Sequence, residues 1–171
     1  MTKILAITNQ KGGVGKTTTS VNLAASLAVA GKRVLLIDLD PQANATMGSG
    51  TNKQTVKITV YHVLLGDESI QTARIVSAQG KYDLLPANRD LAGAEVEMVD
   101  FSQREARLKA AIEPIQHEYD YILIDCPPAL NLLTLNGLCA AQAVMIPMQC
   151  EYYALEGLSD LVNTIKKVRS N

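Results

Sequence analysis

The chain has 171 residues, of which 47% are hydrophobic and 19% are charged, and its formal net charge is -1 at neutral pH. This composition excludes a disordered chain, and the length fits a single globular domain, residues 1–171, with a substantial core. The balanced charge gives no overall electrostatic signature of nucleic-acid binding, and every apolar run is too short to span a membrane. Since the N-terminus also lacks the layout of a signal peptide, we expect a cytoplasmic protein.

A glycine-rich segment follows the first predicted strand, the apolar run Ile4–Thr8, and precedes a helical pattern. It reads Gln10-Lys11-Gly12-Gly13-Val14-Gly15-Lys16-Thr17-Thr18. A strand, a glycine-rich turn and a helix in this order are the setting of a phosphate-binding loop, in which backbone N–H groups and a helix N-terminus converge on an anion. The segment therefore predicts a site for a nucleoside triphosphate. The alternative is an ordinary strand-to-helix turn with surface lysines.

The side chains of this loop have separate predicted roles. Lys16 would reach the β- and γ-phosphates as a point charge, and the Thr17 hydroxyl would enter the coordination shell of Mg²⁺. Gln10 stands where the common pattern has glycine, and a second lysine, Lys11, gives the loop two cations. The remaining members of the predicted nucleotide-binding loop are Gly12, Gly13, Val14, Gly15 and Thr18.

Five apolar runs bounded by turn residues predict strands. They are Ile4–Thr8, Val34–Asp38, Tyr82–Leu85, Tyr121–Asp125 and Ala143–Met148. Continuous runs of this kind are typical of strands buried on both faces of a parallel sheet, whose crossover connections are helices. We therefore predict an α/β fold of the P-loop NTPase type, in which a mostly parallel, twisted sheet carries helices on both faces.

Segments with helical spacing lie between these runs. Apolar residues recur at helical intervals from Val21 to Val29, within Asp90–Glu118 and from Leu155 to Val168. Pro114 breaks or kinks the second of these patterns. Residues 47–80 hold four glycines between short apolar pieces, and we predict a loop with one or two short helices there.

Carboxylates follow two of the predicted strands at the point where each strand ends. Asp38 ends the second run and Asp40 follows two residues later, and Asp125 ends the fourth run in the manner of a Walker B carboxylate. The carboxyl ends of parallel strands share one edge of a sheet, where ligands bind in open α/β folds. Asp38 and Asp40 lie two residues apart and so face the same side, while Leu39 packs away from it. We predict that Asp38 and Asp125 support Mg²⁺ and that Asp40 orients or activates water; the roles of Asp38 and Asp40 could be exchanged.

Three motifs together carry a resemblance to a known family. They are the loop Asn9–Thr18, the run Leu36-Ile37-Asp38-Leu39-Asp40-Pro41-Gln42 and the run Ile124-Asp125-Cys126-Pro127-Pro128. The chain resembles the ParA/Soj family of chromosome- and plasmid-partitioning ATPases, in the deviant Walker A class. The likeness continues through residues 91–95 and 149–158 and so spans the chain. Gln10 and the run Glu-Tyr-Tyr-Ala-Leu-Glu-Gly favour the partitioning branch over the related MinD-type regulators.

The resemblance implies a Mg²⁺-dependent ATPase that hydrolyses ATP to ADP and phosphate, with Lys11, Lys16 and Asp40 as catalytic residues. It implies that ATP binding produces a sandwich homodimer, in which Lys11 reaches the phosphates bound by the other subunit. It also implies non-specific binding of DNA at the nucleoid and a ParB-type partner that stimulates hydrolysis. Glu151 is a further candidate for contact with the ribose or with the opposite subunit.

Members of the family continue past the point where this sequence stops. We therefore expect a C-terminally incomplete domain that lacks the last strands and helices of the family fold. Two other functions remain open at this stage. One is a MinD-like division-site ATPase recruited to membranes, and the other is a nucleotide-binding interaction module without turnover.

Overall fold

The computed structural model describes residues 1–149 and 156–170. Within them lies a six-stranded sheet of spatial order β3-β4-β2-β5-β1-β6. Its strands are β1 (Lys3–Ile7), β2 (Val34–Asp38), β3 (Ile75–Val76), β4 (Asp83–Leu85), β5 (Tyr121–Asp125) and β6 (Ala143–Met145). All neighbouring pairs are parallel except β3 and β4, which are antiparallel at one edge. The mostly parallel sheet confirms the predicted fold class.

Helices connect these strands. The described residues contain α1 (Lys16–Val29), α2 (Asn44–Gly48), α3 (Val60–Leu65), α4 (Ile70–Ala73), α5 (Leu91–Glu97), α6 (Arg107–Ile112), α7 (Leu132–Ala140) and α8 (Glu156–Ser170), with 3₁₀ turns at 104–106 and 116–118. None of these helices is long and apolar enough to cross a membrane.

Alternate residues of each central strand enter two different cores. Leu35 and Ile37 of β2 belong to the larger core, which packs against helices on one face, and Leu36 belongs to the smaller core on the other face. This alternation follows from the two-residue period of a strand. Because β2 is buried at all five positions, its sequence is a continuous apolar run up to Asp38.

The central strands end level with one another. In the hydrogen-bond register, Asp38 of β2 lies opposite Asp125 of β5, and Asp125 lies opposite Ile7 of β1. The loop after β1 and the carboxylates that end β2 and β5 therefore share one edge of the sheet, as predicted.

Several element boundaries differ from those predicted by the sequence. The last run forms a strand only over Ala143–Met145, before Pro147, which has no N–H to donate to a sheet. Residues 47–80 contain the predicted short helices α3 and α4, together with β3, which the sequence did not reveal. Helix α6 ends at Ile112, in agreement with the predicted break at Pro114, whereas α7 was not predicted.

Candidate functional site

The glycine-rich loop joins β1 to α1 and adopts a conformation that requires glycine. Gly13 and Gly15 have φ angles of 74° and 89°, in the left-handed region that L side chains rarely occupy. A Cβ added at Gly12, Gly13 or Gly15 would meet no heavy atom within 4 Å. Backbone conformation, rather than crowding, therefore demands glycine at positions 13 and 15.

Asn9 fixes the base of the loop. Its Oδ1 accepts the N–H of Lys11 at 3.0 Å, and its Nδ2 donates to the carbonyl of Pro147 at 2.9 Å. The side chain thus connects the start of the loop to the segment that follows β6. Asn9 belongs to the motif, but its sequence context does not indicate this role, because the bonded carbonyl of Pro147 lies 138 residues away in the chain.

The N-terminus of α1 opens toward the same space. This 14-residue helix begins after Gly15 without a side-chain cap and has no acidic residue in its first turn. The N-terminal N–H groups of a helix and the positive end of its dipole attract anions. The loop and the start of α1 thus fit a phosphate group.

Lys16 is the first residue of α1 and only 8% exposed. Its Nζ donates to the carbonyl of Lys11 at 3.0 Å, and its charge is attracted by the carboxylates of Asp125 and Asp40. Burial nevertheless lowers the pKa of Lys16 below its ordinary value. Burial thus outweighs the attraction of the two carboxylates, and an anion bound in the loop would offset the cost of burying the ammonium.

Asp125 accepts hydrogen bonds from two hydroxyl groups of α1. Thr17 Oγ1 donates to Asp125 Oδ2 at 2.8 Å, and Ser20 Oγ donates to Oδ1 at 2.7 Å. Burial raises the pKa of Asp125 to about 6, although these two hydrogen bonds act in the opposite direction. Ser20 was missed by the sequence analysis. Its position four residues after Lys16, on the same face of α1, is the signal that could have indicated it.

Asp38 and Asp40 follow each other at the end of β2 but lie in different environments. Asp38 is fully buried, and burial together with the nearby charge of Asp125 raises its pKa to about 7. Asp40 is partly exposed, and its Oδ1 accepts the N–H of Gln42 at 2.9 Å. Leu39 between them is fully buried in the larger core, which confirms that it packs away from the site.

The structure thus brings most predicted site residues to one edge of the sheet. Lys16, Thr17 and Asp125 form one connected group, with Asp40 near Lys16 and Asp38 near Asp125. Lys11 is partly buried in the loop, and Thr18 lies on the exposed side of α1. Glu151 lies outside the described residues.

Within the described ranges, no three His, Cys, Asp or Glu side chains form a group that could hold a metal ion by themselves. The hydroxyl of Thr17 and the carboxylate of Asp125 do fit Mg²⁺ in a nucleotide site, where the ion keeps several waters and is held by one or two carboxylates and by substrate phosphates.

Comparisons with known proteins agree with this geometry. A model of the AAA domain family matches residues 2–171. Sporulation initiation inhibitor protein Soj of Bacillus subtilis is 56% identical over 171 residues, which make up 100% of this chain and 68% of Soj. Chromosome partitioning protein ParA of Myxococcus xanthus is 55% identical over 167 residues, or 98% of this chain and 59% of that protein.

The chain spans 59% to 68% of the length of the curated relatives that are 55% to 60% identical to it. Among solved structures, a cobyrinic acid a,c-diamide synthase from Mycobacterium smegmatis, with bound ATP analog and magnesium, matches with a TM-score of 0.95 at 45% identity. That match covers 99% of this chain and 69% of the other.

Proposed function

Because this chain belongs to the ParA/Soj family of AAA-domain proteins, we propose that it is a Mg²⁺-dependent ATPase that acts in chromosome or plasmid partitioning. It hydrolyses ATP to ADP and phosphate. The observation that carries this proposal is the buried Lys16 ammonium at the first residue of α1, after a glycine-rich loop and at a helix N-terminus that no side chain caps.

Thr17 and Asp125 are the residues proposed to hold Mg²⁺. The single proton of the Thr17 hydroxyl is directed to Asp125 Oδ2, so the lone pairs of the threonine oxygen stay available to a cation. Asp125 orients this hydroxyl, and Asp38 supports the ion through water. When bound, Mg²⁺ would offset the negative charge that develops on the phosphate oxygens during hydrolysis.

Asp40 is the residue proposed to orient or activate the attacking water. Its carboxylate is partly exposed, in contrast to the buried carboxylates of Asp38 and Asp125. The bond from the Gln42 N–H holds one of its oxygens in place. A water-positioning group must reach solvent and keep a fixed orientation, and Asp40 combines both properties.

The ATP-bound state is proposed to be a sandwich homodimer. Lys11 would reach the phosphates held by the other subunit, so that a cation supplied by the second chain couples association to hydrolysis. Its backbone is fixed on both sides, because its N–H donates to Asn9 and its carbonyl accepts from Lys16. The dimer would act in the cytoplasm on nucleoid DNA, without sequence preference, and a ParB-type partner would stimulate hydrolysis. A contact from Glu151 to the ribose or to the other subunit stays a prediction.

Phosphate release by the purified protein with Mg·ATP tests this function. We expect release above background from the wild type and from Lys32→Ala, a control at an exposed lysine beyond the other end of α1. Lys16→Ala and Asp40→Ala should release phosphate at background level. Background release from the wild type in spite of ATP binding would instead identify a nucleotide-binding module without turnover.

Light scattering with and without Mg·ATP tests the proposed association. The wild type should shift from monomer to dimer when Mg·ATP is added, and Lys11→Ala should shift less. A mass that stays monomeric at saturating Mg·ATP would contradict the dimer proposal and leave the ATPase proposal to the phosphate assay.

A further inference from the structure

Thr46 lies at the centre of a buried hydrogen-bond chain that ends at the proposed site. Its N–H and its Oγ1 both donate to Asp38 Oδ2, at 2.8 Å and 2.7 Å. The N–H of Ala87, just after β4, donates to Thr46 Oγ1 at 2.9 Å. Asp38, Thr46 and Ala87 are all 0% exposed, so water does not compete for these bonds.

With Asp38 ionised, the direction of every bond in this chain is fixed. A backbone N–H can only donate, so the Thr46 hydroxyl must accept from Ala87, and its single proton then points to Asp38. Two donors from Thr46 therefore occupy the Oδ2 edge of Asp38.

The Oδ1 edge of Asp38 in turn holds Asp40. The N–H of Asp40 donates to Asp38 Oδ1 at 3.1 Å, so the orientation of the Asp38 carboxylate sets the backbone position of Asp40. The backbone before Thr46 is held against its preference, because Ala43, the residue before α2, has a φ of 55° in the left-handed region. No side chain caps α2, and Asp38 accepts the Thr46 N–H in place of a cap.

We propose that Thr46 is a positioning residue for ATP hydrolysis, whose hydroxyl orients Asp38 and, through Asp38, fixes Asp40. This inference rests on the proposed ATPase function. Thr46 touches no substrate itself, so its loss should slow turnover and leave nucleotide binding by Lys16 and the loop unchanged.

Turnover of Thr46→Val, which keeps the shape but removes the hydroxyl, tests the inference. We expect the kcat of phosphate release to fall about tenfold, which corresponds to about 1.4 kcal/mol of transition-state stabilisation. The Kd for a fluorescent ATP analogue should change less than about twofold, since the interaction acts on turnover alone. Thr46→Ser keeps the hydroxyl and should restore kcat to within about threefold of the wild type.

Ser49→Ala is the matched control for the loss of a buried hydroxyl beside α2. Ser49 is 1% exposed, and its hydroxyl bonds to the Ala45 carbonyl and to the Tyr82 hydroxyl, at 2.7 Å and 2.8 Å, with no part in the Asp38 chain. Ser49→Ala should lower the melting temperature and leave kcat unchanged. Wild-type kcat in folded Thr46→Val, or a loss of kcat in Ser49→Ala equal to that in Thr46→Val, would overturn the inference.

Amide hydrogen exchange measured by NMR tests the same chain without turnover. The Asp40 and Ala87 amides should exchange at least about tenfold faster in Thr46→Val than in the wild type, and Ser49→Ala should leave the Asp40 rate unchanged. An unchanged Asp40 rate in Thr46→Val would overturn the role of Thr46. If the wild type releases no phosphate, the proposed function fails, and exchange alone then decides whether Thr46 fixes Asp40.

Discussion

Charged groups meet at both ends of the sheet, but they are compensated in different ways. At the amino ends of β4 and β5, Arg74 donates to Glu118 at 2.7 Å, and the Tyr119 hydroxyl donates to Asp83 at 2.6 Å and accepts from Arg74. At the carboxyl ends, the carboxylates bond to hydroxyl and backbone N–H groups. The carboxylates of the amino end are thus bonded to an arginine and a tyrosine, whereas Asp38 and Asp125 at the carboxyl end are bonded to hydroxyl and backbone N–H groups.

The pKa shifts at the two ends follow this difference. Burial raises the pKa of Asp38 to about 7 and that of Asp125 to about 6. Near the amino ends, the hydrogen bond from Arg33 lowers the pKa of Asp120. The pKa of Tyr119, at the same end, is raised by burial and by its hydrogen bond to Asp83. Shifted pKa values therefore occur at both ends, and among the described residues only those of Asp38 and Asp125 belong to carboxylates that burial makes harder to ionise. This difference supports the proposed ligand site at the carboxyl end and a structural role for the charged groups at the amino end.

The largest expected effect is on nucleotide affinity at the carboxyl end. Lys16→Ala removes the cation that is buried beside the loop, and we expect the Kd for Mg·ATP to rise about a hundredfold, or about 2.7 kcal/mol. Isothermal titration calorimetry would measure this, with Lys32→Ala as the exposed control. An unchanged Kd in Lys16→Ala would place the phosphates elsewhere.

The next effect is on stability at the amino end. Tyr119→Phe removes the hydroxyl that Asp83 and Arg74 share. Asp83 loses this hydrogen-bond donor at a partly buried position, while Arg74 keeps its bond to Glu118. We expect the free energy of unfolding to fall by about 2 kcal/mol in urea, because bonds to charged groups contribute more than neutral ones. The Kd for Mg·ATP should not change.

Tyr121→Phe, at the first residue of β5, is the control for this substitution and should cost less than about 0.5 kcal/mol. If Tyr119→Phe weakened nucleotide binding as strongly as it lowered stability, the assignment of separate roles to the two ends would be wrong.

A smaller effect is expected from Ser20→Ala. It removes one of the two hydroxyl donors that orient Asp125. Groups that orient metal-binding residues typically contribute tenfold or more to metal affinity, so the Mg²⁺ concentration for half-maximal phosphate release should rise about tenfold. Ser26→Ala, at an exposed position of α1, is the control. An unchanged Mg²⁺ dependence in Ser20→Ala would remove Asp125 from the proposed metal site.

The smallest effect is expected at the exposed pair of Arg33 and Asp120. The Arg33 Nη2 lies 3.2 Å from Asp120 Oδ1. Because the pKa of Asp120 is lowered in the folded state, the pair stabilises the fold above the unfolded-state pKa of Asp120, and this stabilisation is lost as pH falls through the folded-state pKa. Arg33→Ala should raise the pKa of Asp120 in an NMR titration. The free energy of unfolding of Arg33→Ala should be slightly below that of the wild type at neutral pH and equal to it in strong acid. An unchanged pKa of Asp120 in Arg33→Ala would contradict the pairing.

Much of the fold and part of the site could be predicted from the sequence. The strands β2 and β5 are buried on both faces, so their sequences are continuous apolar runs, and the carboxylates that end them lie at the same edge as the loop. The loop could be predicted from its glycines, because a turn with positive φ angles, such as those of Gly13 and Gly15, requires glycine in the sequence. These features depend on neighbours in sequence or on the common direction of parallel strands.

Other features could not be predicted, because they depend on distant partners or are too short. Helix α7 is buried on several sides and shows no polar face, so its sequence lacks amphipathic spacing. Strand β3 has two residues, too few for a periodic pattern. The bonds of Ser20 to Asp125 and of Asn9 to Pro147 join residues 105 and 138 positions apart. A local pattern can place Ser20 on the face of α1 that carries Lys16, but it cannot identify a partner so far away in sequence.

The level register of β2 and β5 limits which length changes this protein can accept. Asp38 and Asp125 face each other as the last residues of two five-residue strands. An insertion or deletion of one residue in either strand would rotate every later side chain to the opposite face, so that a carboxylate would leave the proposed nucleotide site and a leucine or isoleucine would replace it there. Segment 50–57, which lies in no strand or helix, carries no such constraint and is where length variants should retain binding.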